Sequence, residues 1–289
     1  MKEVAPGLFM ESSYAPYNLV LIKTDRGGIV VDVPPNPIHA INWLEQARAI
    51  AGEIRYAIMT DARRERQLAT VLCDFPIVAT EATLRVMQAY DEERPRRDLL
   101  DELVHRFPDE TESLDSLQPH KPAFAFSGSF NLYAGDRVLQ LQAVEGAGKG
   151  SLWLLIQGEG ILIAGDTVVA DTVPLMDDTP DSKAWLNTMT SLAHRQDVKS
   201  IIPGRGSTPI HVGDIEPQRE VMRVMRRAAR TLARKGGPSL SLAQTAQELG
   251  QTFFNRHGQR AVKQIKAGLE NLIAEVEMMQ ASETEAESE

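Results

Sequence analysis

Short apolar runs separated by turn residues predict a β-hairpin near the start of the chain. Its two strands, residues 18–23 and 29–33, are rich in Val, Leu and Ile, and the turn between them contains Gly27 and Gly28. Further strands are predicted at residues 57–59, 76–79, 123–126, 138–141, 152–156 and 161–164. The last two of these runs flank Gly158 and predict a second hairpin.

Apolar residues at helical spacing alternate with these strands. Helices are predicted at residues 38–50, 67–72 and 183–192. Thr80 stands where its side chain would cap a helix that begins at Glu81. Because strands and helices alternate along the chain, we predict an α/β domain over residues 1–214.

The pattern changes to helix alone after about residue 215. We therefore predict a C-terminal helical extension over residues 215–280. Residues 91–121 are densely charged but carry one apolar stripe, which predicts a helical insertion lying over the domain. Residues 281–289 are acidic, lack large apolar side chains and are predicted to be disordered.

Composition narrows the class of protein. The formal net charge of −9 argues against a surface that attracts nucleic acid or anionic membranes as a whole. The single cysteine, Cys73, excludes an intramolecular disulfide and fits a reducing compartment. No stretch approaches the roughly 20 consecutive apolar residues that a membrane span requires. We therefore predict a cytoplasmic protein without a membrane partner.

Six arginines crowd the first predicted helix of the extension. They are Arg219, Arg223, Arg226, Arg227, Arg230 and Arg234. A solvated basic face is one interpretation of this pattern, and nucleic-acid binding is the alternative, although the acidic overall charge counts against it. The residues that such binding would use are Arg223, Arg226, Arg227 and Arg230.

An apolar repeat follows in the last predicted helix. Its members alternate spacings of three and four residues, and they are Val262, Ile265, Leu269, Leu272, Val276 and Met279. Such a repeat is typical of a helix that docks on a partner or forms a homodimer, and equally of a helix that faces its own core.

Several sequence landmarks follow one another along the chain, and their order is a more specific signal of a fold than any single landmark. They are a hairpin ending at Asp32, a strand ending at Thr60, a glycine-serine loop at residues 146–151, the pair Gly165-Asp166 and the turn Pro203-Gly-Arg-Gly206. In this order, residues 4–210 resemble the metallo-β-lactamase superfamily. The resemblance implies an αββα sandwich in which each landmark ends a strand and delivers metal ligands to one edge. The C-terminal extension is loosely similar to the helical or winged-helix segment of some superfamily members.

Most of the ligands that the resemblance implies are replaced. The family loop Thr-His-X-His-X-Asp-His matches residues 60–66, which read Thr-Asp-Ala-Arg-Arg-Glu-Arg. Ala147 and Arg205 stand at two further histidine positions, and Asp166 is the one ligand retained unchanged. The former ligand positions are therefore Asp61, Arg63, Glu65, Arg66, Ala147, Asp166 and Arg205.

The replacements change the chemistry of the site. A guanidinium group has no free lone pair for a metal and stays protonated, so Arg63, Arg66 and Arg205 would repel a dication. Three arginines beside three carboxylates form a neutral set, which predicts an ion-pair network in place of the metals. The alternative is that Arg63, Arg66 and Arg205 face an open cleft and bind an anionic group; a retained metal is the third interpretation.

The sequence thus favours a non-catalytic relative of this superfamily, acting as a binding or scaffold protein without a metal or another cofactor. Its expected partners are an anionic small molecule or a protein, and a homodimer through the C-terminal helix is a further expectation. A hydrolase of an ester, thioester or phosphate with an atypical site is the alternative function. Nucleic-acid binding through the basic helix is a second alternative.

Overall fold

A computed structural model of the protein describes residues 1–14, 17–89, 101, 105, 119–206, 208–234 and 239–288. The predicted insertion at 91–121 lies almost entirely outside the described residues. The first sheet contains β1 (Lys2–Ala5), β2 (Leu8–Glu11), β3 (Leu19–Thr24), β4 (Gly27–Val31), β5 (Ile54–Ile58), β6 (Ile77–Thr80) and β7 (Phe124–Phe126). The second contains β8 (Ser129–Ala134), β9 (Arg137–Ala143), β10 (Leu152–Ile156), β11 (Ile161–Ile163) and β12 (Ser200–Ile202). The helices are α1 (Pro37–Ala51), α2 (Arg64–Ala69), α3 (Glu81–Gln88), α4 (Ser182–Ala193), α5 (Glu216–Arg234), α6 (Ser239–Phe254) and α7 (Gly258–Ser288).

The strands of the first sheet lie in chain order, and those of the second in the order β12-β11-β10-β9-β8. The chain runs antiparallel from β1 to β4 and then parallel from β4 to β7, because α1, α2 and α3 return it to the same end of the sheet. In the second sheet β11 and β12 are parallel, and the other neighbours are antiparallel. The predicted hairpins, β3–β4 and β10–β11, are both confirmed.

Apolar side chains hold the two sheets together face to face. Leu8, Val20 and Ile58 from the first sheet share one buried cluster with Leu141 and Leu154 from the second. Strands buried on both faces read as nearly continuous apolar runs, which is why β3, β4 and β10 were visible in the sequence.

Helices cover the two outer faces. Trp43 and Leu44 of α1 pack against the outside of the first sheet, and Trp185 and Met189 of α4 pack against the outside of the second. The layers are therefore helix, sheet, sheet and helix, and the predicted αββα architecture with a C-terminal helical extension is confirmed.

The extension packs on the outside of the second sheet. Ile265, Leu269 and Leu272 of α7 are buried in the same cluster as Trp185 of α4 and Met225 of α5. Among the described residues after Ile215 there are helices and no strand. These contacts match the core-facing interpretation of the apolar repeat.

The chain's last helix is longer than the sequence predicts. Helix α7 continues to Ser288, through residues 281–288 that were predicted to be disordered. Glu and Ala dominate this segment, and both are good helix formers. Among the described residues, no helix is long and apolar enough to cross a membrane.

Candidate functional site

Three aspartates meet at one edge of the sandwich because the strands that precede them end there. Asp32 follows β4, Asp61 follows β5 by three residues, and Asp166 lies in the helical turn Gly165–Thr167 after β11. The parallel strands β4 and β5 point the same way, so their following residues reach the same edge. Asp32 has a φ of 58°, an uncommon backbone conformation for a residue with a side chain. Its carboxylate accepts hydrogen bonds from the amide and hydroxyl of Thr60 at 3.0 and 2.6 Å.

Arg66 of α2 lies between these three aspartates. Its Nε is 2.8 Å from Asp32 Oδ2, and its Nη1 is 3.1 Å from Asp61 Oδ2 and 3.2 Å from Asp166 Oδ2. The guanidinium carbon also lies 4.2 Å from the centre of the Tyr17 ring, which is a cation–π distance. Only 1% of the Arg66 side chain is exposed, so its charge is compensated by protein groups and not by bulk water.

Arg205 adds a second guanidinium to Asp166. Its Nε and Nη2 lie 3.1 and 2.8 Å from the two carboxylate oxygens, which is a bidentate pair. The turn that carries Arg205 is seated closely against the one that carries Asp166. A Cβ on Gly204 would lie 2.3 Å from the carbonyl carbon of Gly165, so only glycine fits at position 204.

Arg63 ties this edge to the neighbouring loops. Its Nη2 donates to the carbonyls of Ala147 and Leu175 at 2.7 and 2.9 Å, and its Nη1 is 3.1 Å from Asp177 Oδ1. The backbone amide of Arg63 also donates to Asp61 Oδ1 at 2.9 Å. The side chain is therefore engaged mainly by backbone carbonyls and by a partly exposed aspartate.

We call Asp32, Asp61, Arg66, Asp166 and Arg205 the ion-pair network. All five are buried, with 8% or less of each residue exposed. Of the seven positions picked out in the sequence, this network contains four, while Arg63 and Ala147 flank it. Glu65 is only half-buried, and its side chain makes no ion pair within the described part of the chain.

Asp32 therefore takes the role in the charge balance that the sequence argument gave to Glu65. Sequence reasoning used Asp32 only as a landmark and missed Tyr17 and Asp177 altogether. One feature of the sequence could have indicated the role of Asp32. It directly follows an apolar strand, and a carboxylate at a buried strand end needs a pairing partner.

Opposite pKa shifts follow from this geometry. Burial raises the pKa of Asp61 to about 6, against the opposing effect of Arg66. Burial acts in the same direction on Asp166, but Arg205 and Arg66 outweigh it and hold the pKa of Asp166 well below its ordinary range. The two aspartates share one nitrogen of Arg66, and of the two, within the described part of the chain, Asp166 alone is paired with a second guanidinium. Burial also raises the pKa of Tyr17 well above its usual value.

The donor set does not fit a metal centre of the kind that the resemblance implies. In the described part of the chain there is no group of three or more His, Cys, Asp or Glu side chains that could hold a metal ion. The three aspartates that approach one another do so around a guanidinium group, which occupies their shared space and offers no lone pair.

The three arginines are also not arranged as an open anion site. Most of their donors point at carboxylates and carbonyls of the protein itself. Among the described residues, two of their buried donors have no partner, namely Arg66 Nη2 and Arg63 Nε. The geometry therefore matches the ion-pair interpretation more closely than the anion-binding one.

A cleft of about 1150 Å³ lies beside the network. The residues that line it include Phe126, Trp153, Arg85 and Lys149. Gly148 belongs to the cleft and also touches the network's flank, because a Cβ there would lie 3.1 Å from Arg63 Cγ.

The loop at 146–151 is fixed by its neighbours. Lys149 O accepts from the amide of Ala62 at 2.8 Å, and Gly150 O accepts from the hydroxyl of Thr80 at 3.1 Å. Ala147 is fully buried, so a larger side chain at that position would have to displace its neighbours.

The arginines of the basic helix differ in their surroundings. Arg223 is paired with Glu216 and Glu220 at 2.7 and 3.3 Å. Arg226 is half-buried toward α7, whereas Arg227 is exposed and lies beside α6. Arg226, Arg227 and Arg230 follow Arg223 by three, four and seven residues, so the four residues considered for nucleic-acid binding lie on one side of α5, although their burial and ion pairing differ.

Comparison with solved structures identifies the fold. The chain is similar to a metallo-β-lactamase from Pontibacter korlensis, with a TM-score of 0.61 and 13% identity over 77% of this chain and 97% of that one. It is also similar to a metallo-β-lactamase family protein from Thermus thermophilus, with a TM-score of 0.65 and 20% identity over 94% of this chain and 95% of that one. A double mutant of the sec-alkyl sulfatase PisA1 matches with a TM-score of 0.61 and 12% identity over 85% of this chain and 44% of that one.

The chain thus has the metallo-β-lactamase fold, as the order of its landmarks predicted. No protein-family model matches it, and no curated protein matches its sequence. At these identities the likeness concerns the fold, and the residues at the site have to be interpreted from their own chemistry.

Proposed function

We propose that this protein is a metal-independent member of the metallo-β-lactamase fold that acts by binding and not by hydrolysis. The observation that carries the proposal is the position of Arg66. Its guanidinium lies between three buried aspartates, at the edge to which the resemblance assigns the metal ligands.

Charge compensation supports this proposal. Buried carboxylates need a counter-charge, which metal ions supply in a metal centre and which Arg66 and Arg205 supply here. A dication entering the site would meet two guanidinium groups and a third at Arg63, and repulsion between like charges is strongest where water is excluded. Metal binding would therefore require these arginines to move away from their carboxylates.

Among the described residues, the hydrolytic alternative has no evident group that would activate a nucleophile. A metal brings the pKa of bound water from 15.7 to about 7, and without it a side chain must act as general base. Asp61 has a raised pKa but is buried and engaged by Arg66 and by the amide of Arg63. His211 is exposed, and its Nδ1 lies 3.3 Å from the carbonyl of Lys199, outside the network.

The cleft beside the network supports a binding role. Its volume of about 1150 Å³ exceeds the need of a small molecule, and its lining combines aromatic residues with Arg85 and Lys149. Glu145 is the carboxylate among the lining residues; Arg85 also forms an exposed ion pair with Glu81 at 3.4 Å, which is a weak interaction. An anionic small molecule with an apolar portion matches this surface. Residues 215–280 then serve as a structural extension that covers the second sheet.

Two measurements on the purified full chain test the proposal together. Thermal unfolding is followed during titration with Zn²⁺, Mn²⁺ and Fe²⁺, and hydrolysis of p-nitrophenyl acetate, a thioester and p-nitrophenyl phosphate is assayed with each metal. We expect no saturable change in the unfolding midpoint and no rate above buffer. A saturable stabilisation by one metal, with a hydrolysis rate that is lost in Asp166→Asn, would overturn the proposal.

A further inference from the structure

A second cluster of arginines, remote in sequence from the ion-pair network, lines a cavity between α5 and α7. The cavity has a volume of about 240 Å³, and Arg226, Arg230 and Arg234 lie along one side of it. These residues are spaced four apart on α5, so they lie one above another on successive turns. Buried Ala229 and Leu272 form part of the floor.

Protein groups compensate the charge on these three arginines poorly; Arg226 is half-buried, while Arg230 and Arg234 are exposed. Elsewhere on the same helix Arg219 and Arg223 form ion pairs with Glu216. Within the described part of the chain, Arg226, Arg230 and Arg234 form neither an ion pair nor a side-chain hydrogen bond. Like charges four residues apart on a helix repel one another.

Two acidic groups favour the charge on Arg226, but neither forms an ion pair with the three arginines within the described part of the chain. Glu275 of α7 lines the cavity, and its Oε2 accepts a long hydrogen bond of 3.4 Å from the amide of Ser182. Asp181 caps α4 by accepting from the amide of Ala184 at 2.8 Å. Burial lowers the pKa of Arg226, and Arg230 lowers it further, while Glu275 and Asp181 act in the opposite direction.

We propose that this cavity is a binding site for a small phosphate-bearing molecule. Three guanidinium groups on one wall supply fork-shaped donors that match phosphate oxygens. The apolar floor and a volume of about 240 Å³ fit a phosphomonoester with a small organic group. The site does not depend on the proposed loss of the metal centre.

A small ligand fits the observations better than a nucleic acid. The three arginines face a concave cavity, whereas Arg223 on the same helix is neutralised by Glu216 and Glu220. An extended backbone-binding surface would need cations spread along an open face. Nucleic-acid binding is therefore an outcome that the test must be able to reveal.

The test uses inorganic phosphate as the probe at constant ionic strength, with chloride as the balancing anion. Binding to the full chain is measured by calorimetry and by the shift of the thermal unfolding midpoint. The variant is Arg226→Gln/Arg230→Gln, and its matched control on the same helix is Arg219→Gln/Arg223→Gln. We expect saturable binding to the wild type and the control, and affinity at least about tenfold weaker in the cavity variant, since each lost charge-assisted hydrogen bond costs that much.

The proposal predicts two further results. Without phosphate the cavity variant should be as stable as the wild type or more so, because a repelling pair has been removed. Glu275→Gln should bind phosphate more tightly, because a carboxylate leaves the site.

Three results would overturn the proposal. They are the absence of saturable phosphate binding by the wild type, equal binding by the cavity variant, and tight, steeply salt-dependent binding of a single-stranded oligonucleotide that both double variants lose equally.

Discussion

Replacing Arg66 with methionine tests the ion-pair network most severely. Methionine retains apolar bulk but removes the group that contacts Asp32, Asp61 and Asp166 at 2.8, 3.1 and 3.2 Å. The Arg66 side chain is 1% exposed and those of its three partners 3% or less, so water cannot replace it without opening the structure. Removing one partner of a buried ion pair costs about 3–5 kcal/mol, and we expect Arg66→Met to fall in that range.

The assay is urea unfolding at pH 7, supported by the thermal midpoint. For a domain of this size about 4 kcal/mol corresponds to a fall of roughly 10 °C. Arg66→Lys should lie between the wild type and Arg66→Met, because an ammonium keeps the charge but cannot span three carboxylates. The difference in unfolding free energy between the wild type and Arg66→Met should become smaller at acidic pH. There the three aspartates that have lost Arg66 become protonated, and burying a neutral carboxyl costs less than burying a charged one.

A surface variant and a double variant complete the experiment. Arg48→Ala removes an exposed pair with Asp74, in which the side chains are 42% and 73% exposed, and should cost about 1 kcal/mol or less. Arg66→Met combined with Asp32→Asn should cost less than the sum of the single changes, because the two groups compensate each other. If Arg66→Met were no more damaging than Arg48→Ala, the reasoning about the network would be refuted.

Two further predictions concern the same edge of the sandwich. Because the pKa of Asp61 is raised to about 6 from 3.8, the folded state holds a proton that the unfolded state releases, and this carboxyl lowers stability as pH rises through that window. Asp61→Asn should remove this negative contribution to the slope of unfolding free energy against pH, and an unchanged slope between pH 3.8 and about 6 would contradict the assignment. Gly148→Ala places a Cβ 3.1 Å from Arg63 Cγ and should lower the free energy of unfolding by about 1–3 kcal/mol, measured by chemical unfolding. Gly213→Ala, with open space around it, should leave the free energy of unfolding nearly unchanged. Equal effects of the two changes would show that the loop at Gly148 accommodates the added Cβ without cost.

The elements that the sequence predicted are those whose local chemistry is strong. Thr80 caps α3 by accepting from the amide of Thr83 at 3.2 Å, as its position before Glu81 indicated. The missed strands β1, β2 and β8 have weaker patterns. In β8 the alternating residues are exposed, so the run Ser129–Ala134 lacks the apolar density of a core strand, and pairing with β9 is what holds it in the sheet.

The sequence predicted the kind of site, but not all of the residues that form it. The landmark order located the right strand ends, and the replacement of histidines by arginines indicated charge pairing. The partner of Arg66 at Asp32 is 34 residues away in sequence, and only the parallel pairing of β4 with β5 brings the two together. Glu65 was an expected member because it stands at the aspartate position of the ligand loop that the resemblance implies, but its side chain is half-buried and lies outside the network.

The metal content of the full chain tests the central claim most directly. The protein is produced with zinc, iron and manganese supplied, purified without chelator, and analysed by elemental mass spectrometry. Because guanidinium groups occupy the space between the three aspartates, we predict a folded protein with far less than one metal ion per chain. Near-stoichiometric metal that survives desalting, and that is lost in Asp166→Asn, would contradict the account and restore a metal centre to this fold.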